Sequence, residues 1–489
     1  DAQQRQQQAE KLLSFLLGDV SPELKKFSSV TTRGNLGDRA LEYFSAVPPE
    51  KLTDTEVARQ SKALTQIGEI KMDEAKYTEA AAAFEKAYAS AATLTARHPQ
   101  NADMLFERAQ AEYWIGFVAR RRGDFPTVRE WFTRYRDSAV ALATIEGKTL
   151  RAQREVTSGH HNLAVSDLDG GNLAEARRGF LAERAVREEL VGANPGDLQL
   201  KFNLADADSW LGRLSDQDGR YDEALAYYSE SSARLEGLLS REPNDAIRKL
   251  ELSRSLVFVG NVQGLLGRRL NAANSYARAK ALLDVLTTQD PRNRQWQVGF
   301  SSLRLQQAAL LIADGDRAAA TSTLIETRIK LEALVTAEPS SRVFPAILAT
   351  WWRLEARIRL FDKRADALDA ATRALELGAP LVVDARADNK AVGDYAQSCL
   401  LAGRIAFAQA QPDVARRHLN RGLEVLASRI ATSRDWRLLD PAAQSLVLLG
   451  KTNDARPLIE QLRSFGYHSI DPLAASILEV APSPASSAK

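Results

Sequence analysis

Proline recurs in this chain on a fixed grid. Pro99, Pro195, Pro243, Pro291 and Pro339 are separated by 48 residues or twice that, and Gly147 fills the vacant node. With only 17 prolines in 489 residues, composition alone does not produce such an alignment. Two positions after the nodes stand Asn101, Thr149, Asp197, Asp245, Asn293 and Ser341, with Thr53 one period earlier. Each carries a side-chain oxygen able to accept from the free N–H groups that open a helix. Proline ends one helix and the cap starts the next, so every node reads as a tight interhelical junction. A repeat of this kind has to be recognised before domains are counted, because an array runs on as one body at any length.

Within the period, Gly68, Gly116, Ala164, Gly212, Gly260, Ala308, Ala356 and Gly403 hold one position. A small residue there is expected to let two helix backbones approach. Twelve residues on come Ala80, Val128, Ala176, Ala224, Ala272 and Ala320, followed after small slips by Ala367, Ala415 and Ala455. Four further on are Phe84, Phe132, Phe180, Tyr228 and Tyr276, then Leu324, Ala371, Leu419 and Ile459. The i, i+4 pairing is the stripe of a helix that buries one face. Glycine at 123, 171, 219, 267, 315 and 450 marks the turn between paired helices, where a left-handed residue ends the first one.

A small residue, Ala at plus twelve, an aromatic at plus sixteen and a closing proline resemble the tetratricopeptide repeat, from about residue 51 to 467. The family unit is about 34 residues, so a 48-residue unit implies helices lengthened to on the order of 20 residues, or 30 Å. The resemblance implies an all-α, right-handed superhelix of about nine helical hairpins. The step from Ala415 to Ala455 is short and predicts a truncated terminal repeat, with Pro441 starting its first helix.

Outside the grid, residues 1–50 read as an N-terminal helical cap or linker, with an amphipathic stretch at Leu12, Leu13, Phe15, Leu16 and Leu17 ended by Gly18. AEKLLSFLLGDV and GDRALEYFSAV resemble the junction that ties an effector domain and a membrane helix to helical repeats in bacterial multidomain kinase-type signalling proteins. A start at Asp1, without methionine, reads as a fragment or processed product. Residues 468–489, ending in APSPASSAK, are expected to form a largely disordered tail.

Charge and composition narrow the function. Lys and Arg number 65 against 63 Asp and Glu, a net charge of +2, which gives no field for gripping a phosphate backbone, so nucleic acid is not an expected partner. Cys399 is the only cysteine, which precludes an intrachain disulfide and any Cys-based metal site. No phosphate loop, GxSxG elbow, HExxH or kinase motif set occurs. His160 and His161 are neighbours about 100° apart on a helix and cannot ligate one metal together. No catalytic residue, metal or cofactor is expected.

Glu112, His160 and Asp208 share a position four before the small residue and predict a polar ladder between stacked repeats, with His160 held by two carboxylates. Trp114 and Trp210 share another position and read as packing anchors. Tetratricopeptide arrays bind partners on the concave surface of the first helices, and carrying that register over yields groove candidates. Tyr113, His161 and Ser209 hold one position, Gln110, Asp206 and Arg254 another, with Phe117 beside them. Polar groups around aromatic rings suit a protein, a peptide or a small polar ligand.

The expectation is therefore a non-catalytic binding repeat domain. One reading makes it the sensor region of a membrane-anchored bacterial signalling protein such as a serine/threonine kinase, with a second copy of the chain among its candidate partners. It would then lie in the periplasm or outside the cytoplasm if a membrane helix precedes Asp1. The other reading is a cytoplasmic scaffold or transcription-regulator interaction domain.

Overall fold

The structure, a computed structural model, describes residues 52–73, 76–122, 124–291, 293–337, 342–383 and 388–474. The expected cap at 1–50, Gly123, Pro339 and Ser341 lie outside them. Among the described residues there are eighteen α-helices and no strand, in an all-α repeat fold of nine hairpins. The chain divides into two compact units, residues 1–195 and 196–489.

The described residues of the N-terminal unit form three hairpins: α1 (Asp54–Asp73) with α2 (Tyr77–Arg97), α3 (Ala102–Arg122) with α4 (Phe125–Glu146), and α5 (Leu150–Asp169) with α6 (Leu173–Ala193). Helices of 20 to 22 residues match the length expected from the long period. Caps stand where the grid puts them: Asn101 accepts from the Met104 N–H at 3.1 Å and Thr149 from that of Ala152 at 3.2 Å. Thr53 plays the reciprocal part instead, its N–H donating to the Glu56 carboxylate at 2.9 Å, the back-reaching half of a capping box.

Ala80, Val128, Ala176, Phe84, Phe132 and Phe180 are all fully buried, so the plus-twelve and plus-sixteen positions are equivalent core places. Where the small residue is glycine, it seats the plus-sixteen ring. A Cβ on Gly116 would lie 2.7 Å from the Phe132 ring, so glycine makes room for the aromatic sixteen residues later.

The C-terminal unit contains six hairpins. They are α7 (Leu198–Gln217) with α8 (Tyr221–Leu239), α9 (Ala246–Leu265) with α10 (Arg269–Gln289), and α11 (Arg294–Ala313) with α12 (Arg317–Ala337). Next come α13 (Val343–Phe361) with α14 (Ala367–Val382), α15 (Asn389–Ala408) with α16 (Pro412–Ile430), and α17 (Trp436–Leu448) with α18 (Thr452–Ser464). Asp197, Asp245 and Asn293 cap as the grid requires. Asp388 and Asp435 cap α15 and α17 after the register slips. Each first helix touches the next first helix as well as its own partner, from α7 through α17, so the first helices form a continuous layer. The turn after α7 is closed by Gly219 at φ 70°, a conformation in which a Cβ is strained.

The last hairpin is shortened to two helices of 13 residues, as the sequence implied. Pro441 does not start it. α17 begins at Trp436, where Asp435 accepts from the Arg437 N–H, and Pro441 sits inside the helix. Its missing N–H leaves the Arg437 carbonyl without an intrahelical partner. That carbonyl faces Gly393 of α15, where a Cβ would come within 2.6 Å.

Residues 468–474, expected to belong to a disordered tail, are instead part of the fold. The His468 N–H donates to the Leu265 carbonyl at 2.7 Å, Asp471 pairs with Arg357 at 3.0 Å, and Ala474 is fully buried. Together with α17 and α18 this segment packs onto the start of the same unit. Leu439, Leu462 and Tyr467 share one apolar cluster with Tyr221, Ala224 and Tyr228 of α8 and Val259, Val262 and Leu265 of α9. Arg437 pairs with Asp216, and Arg434 with Asp218 at 3.0 Å. The six hairpins thus close on themselves.

Candidate binding face

The groove candidates fall into two sets, one in each unit. In the N-terminal unit, Gln110 donates from Nε2 to the Glu155 carboxylate at 2.9 Å, and the Tyr135 hydroxyl donates to the same oxygen at 2.7 Å. Burial holds the Glu155 carboxyl above the usual range, against the pull of those two donors. Tyr113 lies in an aromatic cluster, stacked on Phe117 at 5.9 Å and Phe132 at 6.3 Å and edge-on to Trp114 at 5.2 Å. Its neighbours therefore fix it as much as they leave it for a guest. His161 places Nδ1 3.0 Å from the buried Glu183, with its ring edge-on to Phe180.

The polar ladder takes another form. Glu112 is buried and paired with Arg108 of its own helix at 3.2 Å, and burial raises its carboxyl. Asp208 is buried and accepts from Arg234 of α8 at 2.8 Å. The ionisable groups acting on His160 are Arg136 and Glu183, and burial, reinforced by Arg136, lowers its imidazole. A buried carboxylate needs a partner, and here the nearest arginine supplies it. Trp114 stacks on Phe84 at 5.3 Å, and Trp210 lies under the Arg213 guanidinium at 5.1 Å.

In the C-terminal unit, three candidates from two successive repeats do converge. Asp206 and Ser209 of α7 and Arg254 of α9 line one open cleft of about 30 Å³, with Phe202, Ser231 of α8 and Glu251. Arg254 bridges both oxygens of Glu251 at 2.9 Å. Burial raises the Glu251 carboxyl, Arg254 opposes that, and the nearby charge of Asp206 adds to it. The cleft therefore presents two carboxylates, a guanidinium, serine hydroxyls and one aromatic wall. Such a set has the groups to orient a polar guest by hydrogen bonds.

Elsewhere the chemistry is muted. Cys399 is buried and its thiol is pushed up to about 12 by burial, so it is not a thiolate at neutral pH. Among the described residues no cluster of three or more His, Cys, Asp or Glu is placed to hold a metal ion, and no helix is long and apolar enough to cross a membrane.

Sequence reasoning missed Asp216, Arg357, Arg404, Arg437 and Asp471. A signal existed for three of them. Asp216 stands where the neighbouring repeats have Leu168 and Gly264, and Arg357 and Arg404 each follow the small residue, the position of Phe117.

No family model and no curated protein matches the chain. Solved structures do. The apo form of the quorum sensor NprR from B. thuringiensis aligns at 12% identity over 87% of this chain and 100% of that one, with a TM-score of 0.51. A tetratricopeptide repeat protein from Parabacteroides merdae aligns at 12% identity over 74% and 98% (TM-score 0.35). Yeast Tom70 aligns at 14% over 93% and 96% (TM-score 0.32). At these identities the likeness concerns the fold.

Proposed function

We propose that this chain is a non-catalytic binding module that receives a protein or peptide segment across the face around the cleft between α7, α8 and α9, with a single polar group of the guest entering the cleft itself. The observation that carries the reading is the convergence of Asp206, Ser209 and Arg254 from adjacent repeats beside the Phe202 ring. The concave side of a tetratricopeptide-like array is lined by such first-helix residues. A screen of short peptides by thermal shift, followed by titration of the hits, tests it. Losing a charge-assisted hydrogen bond costs about 1.5–3 kcal/mol, so Asp206→Ala and Arg254→Ala should each weaken a hit by roughly tenfold or more. Unchanged affinity in both variants would sink the assignment.

At the level of the whole protein, we place the module in the sensor region of a membrane-anchored bacterial signalling protein, such as a serine/threonine kinase, outside the cytoplasm. The support is the resemblance of AEKLLSFLLGDV and GDRALEYFSAV to effector-to-repeat junctions. Occupancy would act by a small change at each hairpin interface, summed along the array, or by a change in dimer geometry. A second reading is a cytoplasmic scaffold or transcription-regulator interaction domain, the same repeat fold being joined to an adaptor or DNA-binding domain. The sequence encoded ahead of Asp1 separates the two: an apolar run of about 20 residues supports the first, and a helix-turn-helix supports the second.

A further inference from the structure

The polar groups that close the C-terminal unit do more than staple two ends together. Residues 465–474 follow α18 without regular secondary structure and cross the ends of several first helices in turn. Phe465 covers Gly219, where a Cβ would lie 2.7 Å from its ring, and Ile470 covers Gly264. Between them Tyr467 stacks on Trp436 at 5.8 Å and tilts against Tyr221 at 6.5 Å. Two main-chain bonds hold the segment: the His468 N–H donates to the Leu265 carbonyl at 2.7 Å, and Arg404 Nη2 donates to the Leu473 carbonyl at 3.0 Å. The Asp471 carboxylate accepts from the Leu473 N–H with one oxygen and from Arg357 with the other, both at 3.0 Å. Arg357 and Arg404 occupy the position just after the small residue in their repeats, the register of Phe117.

These are the elements of peptide recognition. Glycine seats take apolar side chains, main-chain groups are read at two points, and a buried arginine selects a carboxylate. We infer that the ends of α7, α9, α13 and α15 form a peptide-binding site, distinct from the Asp206 cleft, which the chain occupies in cis with residues 465–474. The ligand class is a short irregular segment with an aromatic residue, a β-branched residue three positions later and an acidic residue directly after it, as in Tyr467, Ile470 and Asp471. A segment of the same chemistry from elsewhere competes for the site and, on entering, releases the closure of the unit.

The test uses the full chain and a labelled synthetic peptide of residues 465–474. Asp471→Ala in the protein loosens the resident segment, so the added peptide should bind that variant at least tenfold more tightly than the unsubstituted chain. A peptide carrying the same Asp471→Ala change should bind neither, and Asp206→Ala in the protein should leave the binding unchanged, which separates this site from the cleft. Equal affinity for variant and unsubstituted protein overturns the inference. A second measurement needs no variant. In the unsubstituted chain the His468 amide should exchange with deuterium at least tenfold faster than the central amides of α9, through opening of the segment alone. If both exchange only together, the segment is an inseparable part of the core and the inference fails.

Discussion

The two units use one repeat in two ways. Among the described residues of the N-terminal unit the apolar clusters are small, each confined to one hairpin and its neighbour: one joins α1 and α2 to Ala111 of α3, another joins α3 and α4 to Leu163 of α5. In the C-terminal unit a single cluster joins α8 and α9 to α17, α18 and Tyr467. Arg437 reaches Asp216 across 221 residues. Hairpins that are alike in their internal packing thus produce a stack held by neighbours in one unit and a closed body in the other. Among the described residues, what differs is a shortened last repeat and ten residues after it.

The comparison is tested most strongly at the seated rings. Phe132→Ala and Tyr228→Ala each remove a fully buried aromatic from the same repeat position, at a cost of about 3–5 kcal/mol. In hydrogen exchange, the first should loosen α3, α4 and α5 with an effect that fades along the stack. The second should loosen α7 to α9 together with α17 and α18, because the closure couples them. Damage from Tyr228→Ala that stopped at α9 would show that the closure carries no stability.

A smaller effect concerns pH. Asp440 lies inside the closed unit, where burial pushes its carboxyl up to about 6, aided by the charge of Asp471 and opposed by hydrogen bonds from Gln444 and Gln397 and by Arg404. Its folded value lies above the unfolded one, so the folded state holds the extra proton between about pH 4 and 6. Stability is greatest below that window and falls as pH rises through it, by up to roughly 3 kcal/mol. Asp440→Asn should flatten this slope in denaturant titrations run from pH 4 to 7.5. An unchanged slope would mean that another group sets it.

The smallest effect is shared by both units. Thr149→Ala and Asp245→Ala remove equivalent caps, of α5 and α9, and should each cost about 1 kcal/mol. Matching losses in urea midpoints would show that local helix chemistry is the same in both units. A much larger loss at Asp245 would show that the closed body amplifies local change.

This contrast also explains what could be read from the sequence. The hairpins were legible because cap, small residue, alanine and aromatic recur at fixed spacing and act within one repeat. Pro441 was misplaced because a proline at a repeat boundary usually opens a helix, whereas here Asp435 had already opened it. The Asp206 cleft was legible because it joins equivalent positions of adjacent repeats. The ladder of Glu112, His160 and Asp208 failed because each carboxylate took the nearest arginine, and side-chain reach is not periodic. The closure itself was harder to read for a related reason: departures from the repeat pattern mark Asp216, Arg357 and Arg404, but their partners Arg437 and Asp471 lie at distances that no repeat spacing records.

The ring of Phe132 and its glycine seat are sixteen residues apart, and so are their counterparts along the chain, so each hairpin can acquire its shape from nearby contacts as soon as it is synthesised. The clasp over α8 and α9 cannot. Tyr221, Val259 and Leu265 emerge from the ribosome more than 170 residues ahead of the partners that shield them. Until then they remain wet and adhesive, because their cover is the last part of the unit to be made. Nascent chains of this protein therefore pass through a stage with sticky, half-built repeats, and cells that make it need a means of keeping that stage from aggregating.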